Sequence, residues 1–121
     1  MTKNFTLQEF NCKSGAEMSP AVERNIRELA ENLQVLRDTL GVPIRITSGY
    51  RESAHNQKIG GAINSQHVHG RAADFQAVGI APRVVAETIE RLIKEGKMKQ
   101  GGLKAYSSWV HYDTRGVRAR W

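Results

Sequence analysis

Apolar and polar positions follow one another along this chain with a period that changes from segment to segment, and each change of period marks an element. Between Pro20 and Leu40 the apolar residues Val22, Ile26, Leu29, Leu33, Leu36 and Leu40 recur at steps of four and three. That spacing lays one apolar stripe along one face of a helix. Ser19 is a good N-cap, Pro20 fits the first helical position, and Gly41 followed by Pro43 stops the helix. The stripe has the spacing of a coiled-coil seam but is short for one. A core helix packed on a sheet is therefore expected.

From Val42 to Ser48 the period drops to two: Ile44 and Ile46 share one face, Arg45 and Thr47 the other. Gly49-Tyr50 turns the chain, Ser53 to Ile59 reads as a short helix, and Gly60-Gly61 ends it. Arg71 to Ala77 reads as a second strand. A second long helix runs from Pro82 to Glu95, with Val85, Ile89, Leu92 and Ile93 inward and Gly96 as its stop. Two more strands are expected near Gly102–Tyr106 and Trp109–Thr114, joined by a Ser107-Ser108 turn. Before all of these, Thr6-x-x-Glu9 forms a capping box, flanked by Phe5 and Phe10 as a hydrophobic staple. The order helix, strand, helix, strand, helix, strand, strand predicts an α+β fold. Its helices would pack on one face of a mostly antiparallel sheet.

Composition narrows this picture. The chain has 121 residues, which suits a single domain spanning 1–121. No apolar run approaches the roughly 20 residues of a membrane span, and the first residues carry no apolar core of a secretory signal. A single cysteine, Cys12, excludes a disulfide framework and a Cys-rich zinc finger, and reads as a small buried hydrophobe. The formal net charge of +6 points to an anionic partner. Nucleic acid is the poorest choice: no helix-turn-helix, RNP or finger pattern is present, and aromatics make up 7% of the chain, which is thin for base stacking.

Candidate chemistry gathers around three of the four histidines. The segment Ser65-Gln66-His67-Val68-His69-Gly70-Arg71-Ala72-Ala73-Asp74 holds two histidines and a carboxylate, and Trp109-Val110-His111-Tyr112-Asp113 holds the third. Imidazole and carboxylate donors suit a divalent metal such as zinc, and three protein ligands with one open position is the catalytic arrangement. On an extended last strand Trp109, His111 and Asp113 share a face, so His111 and Asp113 both look into one site with Trp109 as its apolar wall. A set of His67, His69 and Asp74 is a rival chelate. His55 falls in a polar helix and reads as surface.

The pattern Ser65-x-His67-x-x-Gly70-x-Ala72-x-Asp74 resembles the signature of the zinc D-Ala-D-Ala peptidases, the M15 peptidases, whose fold the hedgehog signalling domain shares. Three further stretches agree in order. Phe5-Thr6-Leu7-x-Glu9-Phe10-x-Cys12 resembles the opening of the small single-domain members, and Ile46-Thr47-Ser48-Gly49-Tyr50-Arg51 their first active-site turn. Val110-His111-Tyr112-Asp113-Thr114-Arg115-Gly116 resembles the closing motif, followed by Arg120-Trp121. The resemblance implies His67, Asp74 and His111 as zinc ligands with water in the fourth position, activated to attack a peptide carbonyl. It implies Arg51 as the group that stabilises an oxyanion or holds a substrate carboxylate. It also implies Ser65 beside the ligand turn or the substrate.

One departure matters. Better-known members carry a Glu, Asp or His two or three residues before the last histidine as general base; here those positions are Trp109 and Ser108. Asp113 is the nearest carboxylate and the expected base, with a role in orienting an imidazole as the alternative. His69 is a second candidate for proton transfer or substrate contact.

The resemblance thus implies a monomeric zinc metallopeptidase that hydrolyses peptide bonds in peptidoglycan stem peptides, as a D,D-carboxypeptidase or an endopeptidase of the endolysin kind. A zinc-containing wall-binding or protein-binding module without catalysis is the alternative. No export signal is visible, so the expectation is a protein made in the cytoplasm that reaches the wall after release, as phage lysins do. The basic charge would then attract an anionic wall polymer.

Overall fold

The computed structural model describes residues 1–62 and 65–121. Helix α1 spans Pro20–Leu40, strand β1 Ile44–Ser48, helix α2 Ser53–Lys58, strand β2 Ala72–Ala77, helix α3 Pro82–Lys94, strand β3 Leu103–Ala105 and strand β4 Val110–Asp113. Two 3₁₀ turns, Leu7–Phe10 and Gln66–His69, complete the set. The strands form one antiparallel sheet in the order β1-β2-β4-β3. The architecture is the α+β class that the periodicities predict, and the element bounds agree to within two residues.

The long helix begins and ends for the expected reasons. Ser19 Oγ accepts from Val22 N at 3.2 Å, and Gly41 closes the helix at φ 69°, a left-handed conformation that an L side chain takes only under strain. Ile26, Leu29, Leu33 and Leu36 are fully buried, while Val22 and Leu40 at the stripe's ends stay half-covered. The stripe packs on β2 of the sheet and also against α3. With Val85, Ile89 and Leu92 of α3 it covers Ala73 and Phe75 of β2 and Val110 and Tyr112 of β4. Each such side chain contributes roughly 1.5–3 kcal/mol on burial.

Both helices use one face of the sheet, which leaves the other open for chemistry. Register sets out that open face in rows: Asp74 opposes His111, and His111 opposes Lys104. On β1 the alternation read from the sequence breaks once. The register slips between Ile46 and Ser48, so Ser48 rather than Thr47 faces Asp74. A bulge of this kind puts two residues against one and re-aims the strand beyond it; here it carries the chain into the Gly49–Arg51 turn.

The N-terminal 3₁₀ turn buttresses that same corner. Phe5 and Phe10 are both buried with ring centroids 6.1 Å apart, and Phe10 O accepts from Tyr50 N at 2.9 Å. A Cβ at Gly49 would stand 2.8 Å from the Phe10 backbone, so no larger residue fits there without a shift. Cys12 is buried, as expected.

Candidate metal centre

The site is built by two devices. The first is the Gln66–His69 turn. Ser65 Oγ accepts from His67 N at 3.2 Å and caps the turn; Gly70 then leaves it at φ 72°, pressed against Val22 of α1. The second is the β2–β4 register, which sets Asp74 directly opposite His111. Together they bring one donor atom each from His67, Asp74 and His111 to within 4.8 Å of one another. His67 Nε2 is 3.3 Å and His111 Nδ1 is 3.1 Å from the same Asp74 Oδ1.

The hydrogen bonds behind these atoms fix which nitrogen of each ring faces Asp74. His67 Nδ1 lies 2.8 Å from Gly49 O, an acceptor only, so Nδ1 carries the proton and Nε2 presents its lone pair. His111 Nε2 lies 2.8 Å from Asp113 Oδ2 and donates to it, which leaves Nδ1, turned to Asp74 Oδ1, to hold a proton or, in its place, a metal ion. With a metal bound, two imidazole lone pairs and a carboxylate oxygen would face one point. Such a convergence is repulsive unless a cation or a proton occupies it. The donor set is of the His/Asp kind that suits zinc, with a hydrogen-bonded partner behind each imidazole.

Without a metal, protons take that place. Burial opposes charge on Asp74, but hydrogen bonds from His111 and His67 outweigh it and hold its carboxyl well below the usual carboxylate range. Asp113 is likewise opposed by burial and held low by His111, Arg115 and Gly102 N. His111 is pushed up: burial works against its charged form, and the bonds to Asp113 and Asp74 prevail.

The cleft over this centre has a volume of about 570 Å³. On one side lie Arg51, Ser65 and the Gly60–Ala62 stretch; on the other lie Tyr106, Trp109, Arg115 and Trp121. Tyr106 and Trp109 stack at 4.5 Å and 9°, and Trp121 sets its ring against the edge of His111 at 5.1 Å. Arg51 is held in three directions, to Ser48 Oγ at 3.3 Å, Asn56 Oδ1 at 3.3 Å and Asp74 Oδ2 at 3.5 Å.

Two expected site residues stand elsewhere. Asp113, expected as the base, has no exposed surface and does not line the cleft. Its oxygens face His111 Nε2, the Arg115 fork at 2.9 and 2.7 Å, and Gly102 N at 2.8 Å. This is the position of a residue that orients an imidazole. His69 is exposed and outside the cleft, because two steps along a 3₁₀ turn point it away from His67. The rival chelate of His67, His69 and Asp74 assumed an extended segment and does not form. His55 sits on α2, half-covered and outside the cleft.

Several contributors were not read from the sequence. Asn56 is 2% exposed and ties Arg51 to the cleft lip through Ala62 O at 2.7 Å. Gly101 and Gly102 are needed for closeness: a Cβ on the first would overlap the Asp113 carbonyl oxygen, and on the second Asp113 Oδ2. The only sequence hint was the Gly-Gly pair just before a strand, a sign of close backbone approach.

Comparison with known proteins agrees with this geometry. Residues 3–113 match the family described as Peptidase M15. The chain is 40% identical over 80 residues to the zinc D-Ala-D-Ala carboxypeptidase of Streptomyces albus G, across 61% of this chain and 31% of that protein. It is 30% identical over 104 residues to the probable peptidoglycan L,D-endopeptidase MepK of Haemophilus influenzae, across 80% of this chain and 53% of that protein. The chain thus spans 31% of the length of the first of these curated relatives and 53% of the second. A match over so much of its own length, with His67, Asp74 and His111 inside it, makes the chain a member of the M15 peptidase family.

Proposed function

We propose that this chain is a zinc-dependent peptidase that hydrolyses a peptide bond in peptidoglycan stem peptides. The observation that carries the reading is the convergence of the His67, Asp74 and His111 lone pairs at the floor of an open cleft. His67 Nε2, His111 Nδ1 and an Asp74 oxygen would hold the ion. When bound, zinc supplies Lewis acidity, which acidifies water and polarises a carbonyl. Arg51, fixed by Ser48 and Asn56, presents its guanidinium beside Asp74, where it can hold a carbonyl oxygen as that oxygen gains charge. Asp113 keeps His111 in one tautomer and orientation. Trp109 and Trp121 line the cleft beside the centre and offer apolar surface to a bound peptide. The two relatives act on peptidoglycan or D-Ala-D-Ala by their names, and this supports the substrate class.

Purified protein with zinc should release peptides or amino acids from peptidoglycan stem peptides, and a chelator should stop it. Turnover unchanged in His67→Ala would overturn the reading. A second reading has one observation in its favour. Among the described residues lining the cleft, Asp74 is the one carboxylate, and both histidines and Arg51 engage it. A domain that binds zinc and wall peptide without cleaving would look the same. Retained wall binding with no turnover after loading with zinc, cobalt or manganese would favour that module.

A further inference from the structure

The open face of the sheet carries a second row of side chains beside the metal-ligating one. Asp74 and Gln76 alternate to the same face of β2, and Arg45 of β1 lies directly opposite Gln76. Trp109 precedes His111 by two residues and so continues this second row beyond β4. Gln76 Nε2 donates to Ser108 O at 3.0 Å, and Tyr106 N donates to Trp109 O at 2.8 Å, so the Trp109 backbone is held from both sides. Two residues of strand put this row about 7 Å from the metal-ligating row, the length of two residues of extended peptide.

The row borders a second cavity, of about 270 Å³, whose polar lip is Arg45, Gln76 and Ser108 beside Trp109, and whose remaining wall is apolar, with Phe75, Val85 and Val110 among it. Trp109 lines both cavities and is the ridge between them. Arg45 is exposed. The arginine ion pairs among the described residues involve Arg51, Arg83, Arg115, Arg118 and Arg120, and none of them uses Arg45. A guanidinium, a carboxamide and an aromatic ridge on one face are the parts of a receptor for a carboxylate on an extended chain.

We infer that Arg45, Gln76 and Trp109 form a substrate subsite for a carboxylate carried about two residues from the scissile bond. The preferred substrate is then an acidic peptide that continues across the Trp109 ridge, rather than a short one that ends beside the metal centre. This rests on the peptidase reading above and adds the length and charge of the peptide to it.

The test uses two stem-type peptides of equal length, one with a free side carboxylate about two residues from the cleaved bond and one with that group amidated. Calorimetric binding is measured on the metal-free protein, and turnover on the zinc-loaded one. Arg45→Gln should weaken binding of the acidic peptide about tenfold and raise its KM alike, with kcat within about twofold. Arg45→Glu should weaken it further, and the amidated peptide should respond to neither. Equal effects on both peptides, no effect on either, or no binding of the acidic peptide to the wild type would overturn the subsite. If the wild type cleaves neither peptide while Arg45-dependent binding persists, the peptidase reading fails and the subsite stands.

Discussion

Asp113 Oδ2 lies 2.8 Å from His111 Nε2, and this contact decides which nitrogen of His111 faces Asp74. The carboxylate itself is fastened by the Arg115 fork and Gly102 N, with no path to the cleft. Asp113→Ala should therefore lower zinc affinity by about 10- to 100-fold. It should also cost about 3 kcal/mol of stability, because Arg115 loses its partner in a half-buried place. Asp113→Asn keeps an acceptor for His111 and should lose less of both. Zinc titration and thermal unfolding check the two effects separately. In the Asn variant at saturating zinc, the acid limb of the rate profile should keep its midpoint; its disappearance would restore Asp113 as the base.

The sequence was most legible where a single local period decides the answer. The α1 stripe, its Ser19 and Gly41 caps and the alternation of β2 need only neighbours along the chain, and they appear as expected. The grouping of His67, Asp74 and His111 was legible for a different reason: its spacing resembles a family motif, and chemistry restricts which residues can bind a metal. The roles of Asp113 and His69 depended on facts that spacing does not carry. Asp113 does share a face with His111, but whether it reaches solvent is set by Gly101, Gly102 and Arg115 closing over it. His69 was placed by the turn being 3₁₀ rather than extended. The bulge at Thr47 is likewise invisible to a period of two.

Proton occupancy at the centre gives the metal-free protein a particular pH dependence. His111 is raised above 6.5, so its pairing with Asp113 and Asp74 contributes fully below that pH and is lost as pH rises through the raised value. Asp74 and Asp113 are lowered below 3.8, so their contributions are present above that pH and lost as pH falls through the lowered values. The metal-free protein should thus unfold at its highest temperature between about pH 4 and 6.5 and lose stability toward pH 9. Zinc should reverse the alkaline trend by taking the place of the proton. Calorimetric zinc titrations in two buffers of different ionisation enthalpy should show proton release near neutral pH; none would count against this account.

The Gly101-Gly102 pair makes the Asp113–Arg115 contact possible, so a methyl group there should act at a distance on the metal. Gly102→Ala would drive Cβ into Asp113 Oδ2 and against Arg115. It should lower stability by about 1–3 kcal/mol and weaken zinc binding as well. Gly41→Ala is the matched control. It has open space for a Cβ and only the cost of its left-handed φ of 69°, about 1 kcal/mol, with zinc affinity unchanged. Parallel unfolding and zinc titrations would separate the two, and equal zinc affinity in both variants would refute the link.

Asn56 and Arg51 should behave as one unit. Asn56 is buried on α2, accepts from Arg51 Nη1 at 3.3 Å and donates to Ala62 O at 2.7 Å. It thereby fixes the guanidinium over Asp74 and also pins the lip of the cleft. No other described side chain does both. Asn56→Ala should lower kcat about tenfold while zinc content stays at wild type, because the ligands themselves are untouched. In an Arg51→Ala background the same change should have little further effect on kcat, since the group it positions is gone. A purely structural role for Asn56 predicts the opposite: the same loss in both backgrounds, matched by a fall in unfolding temperature. A kinetic double-mutant cycle with melting curves on all four proteins distinguishes them, and additive losses would show that Asn56 acts on the fold rather than through Arg51.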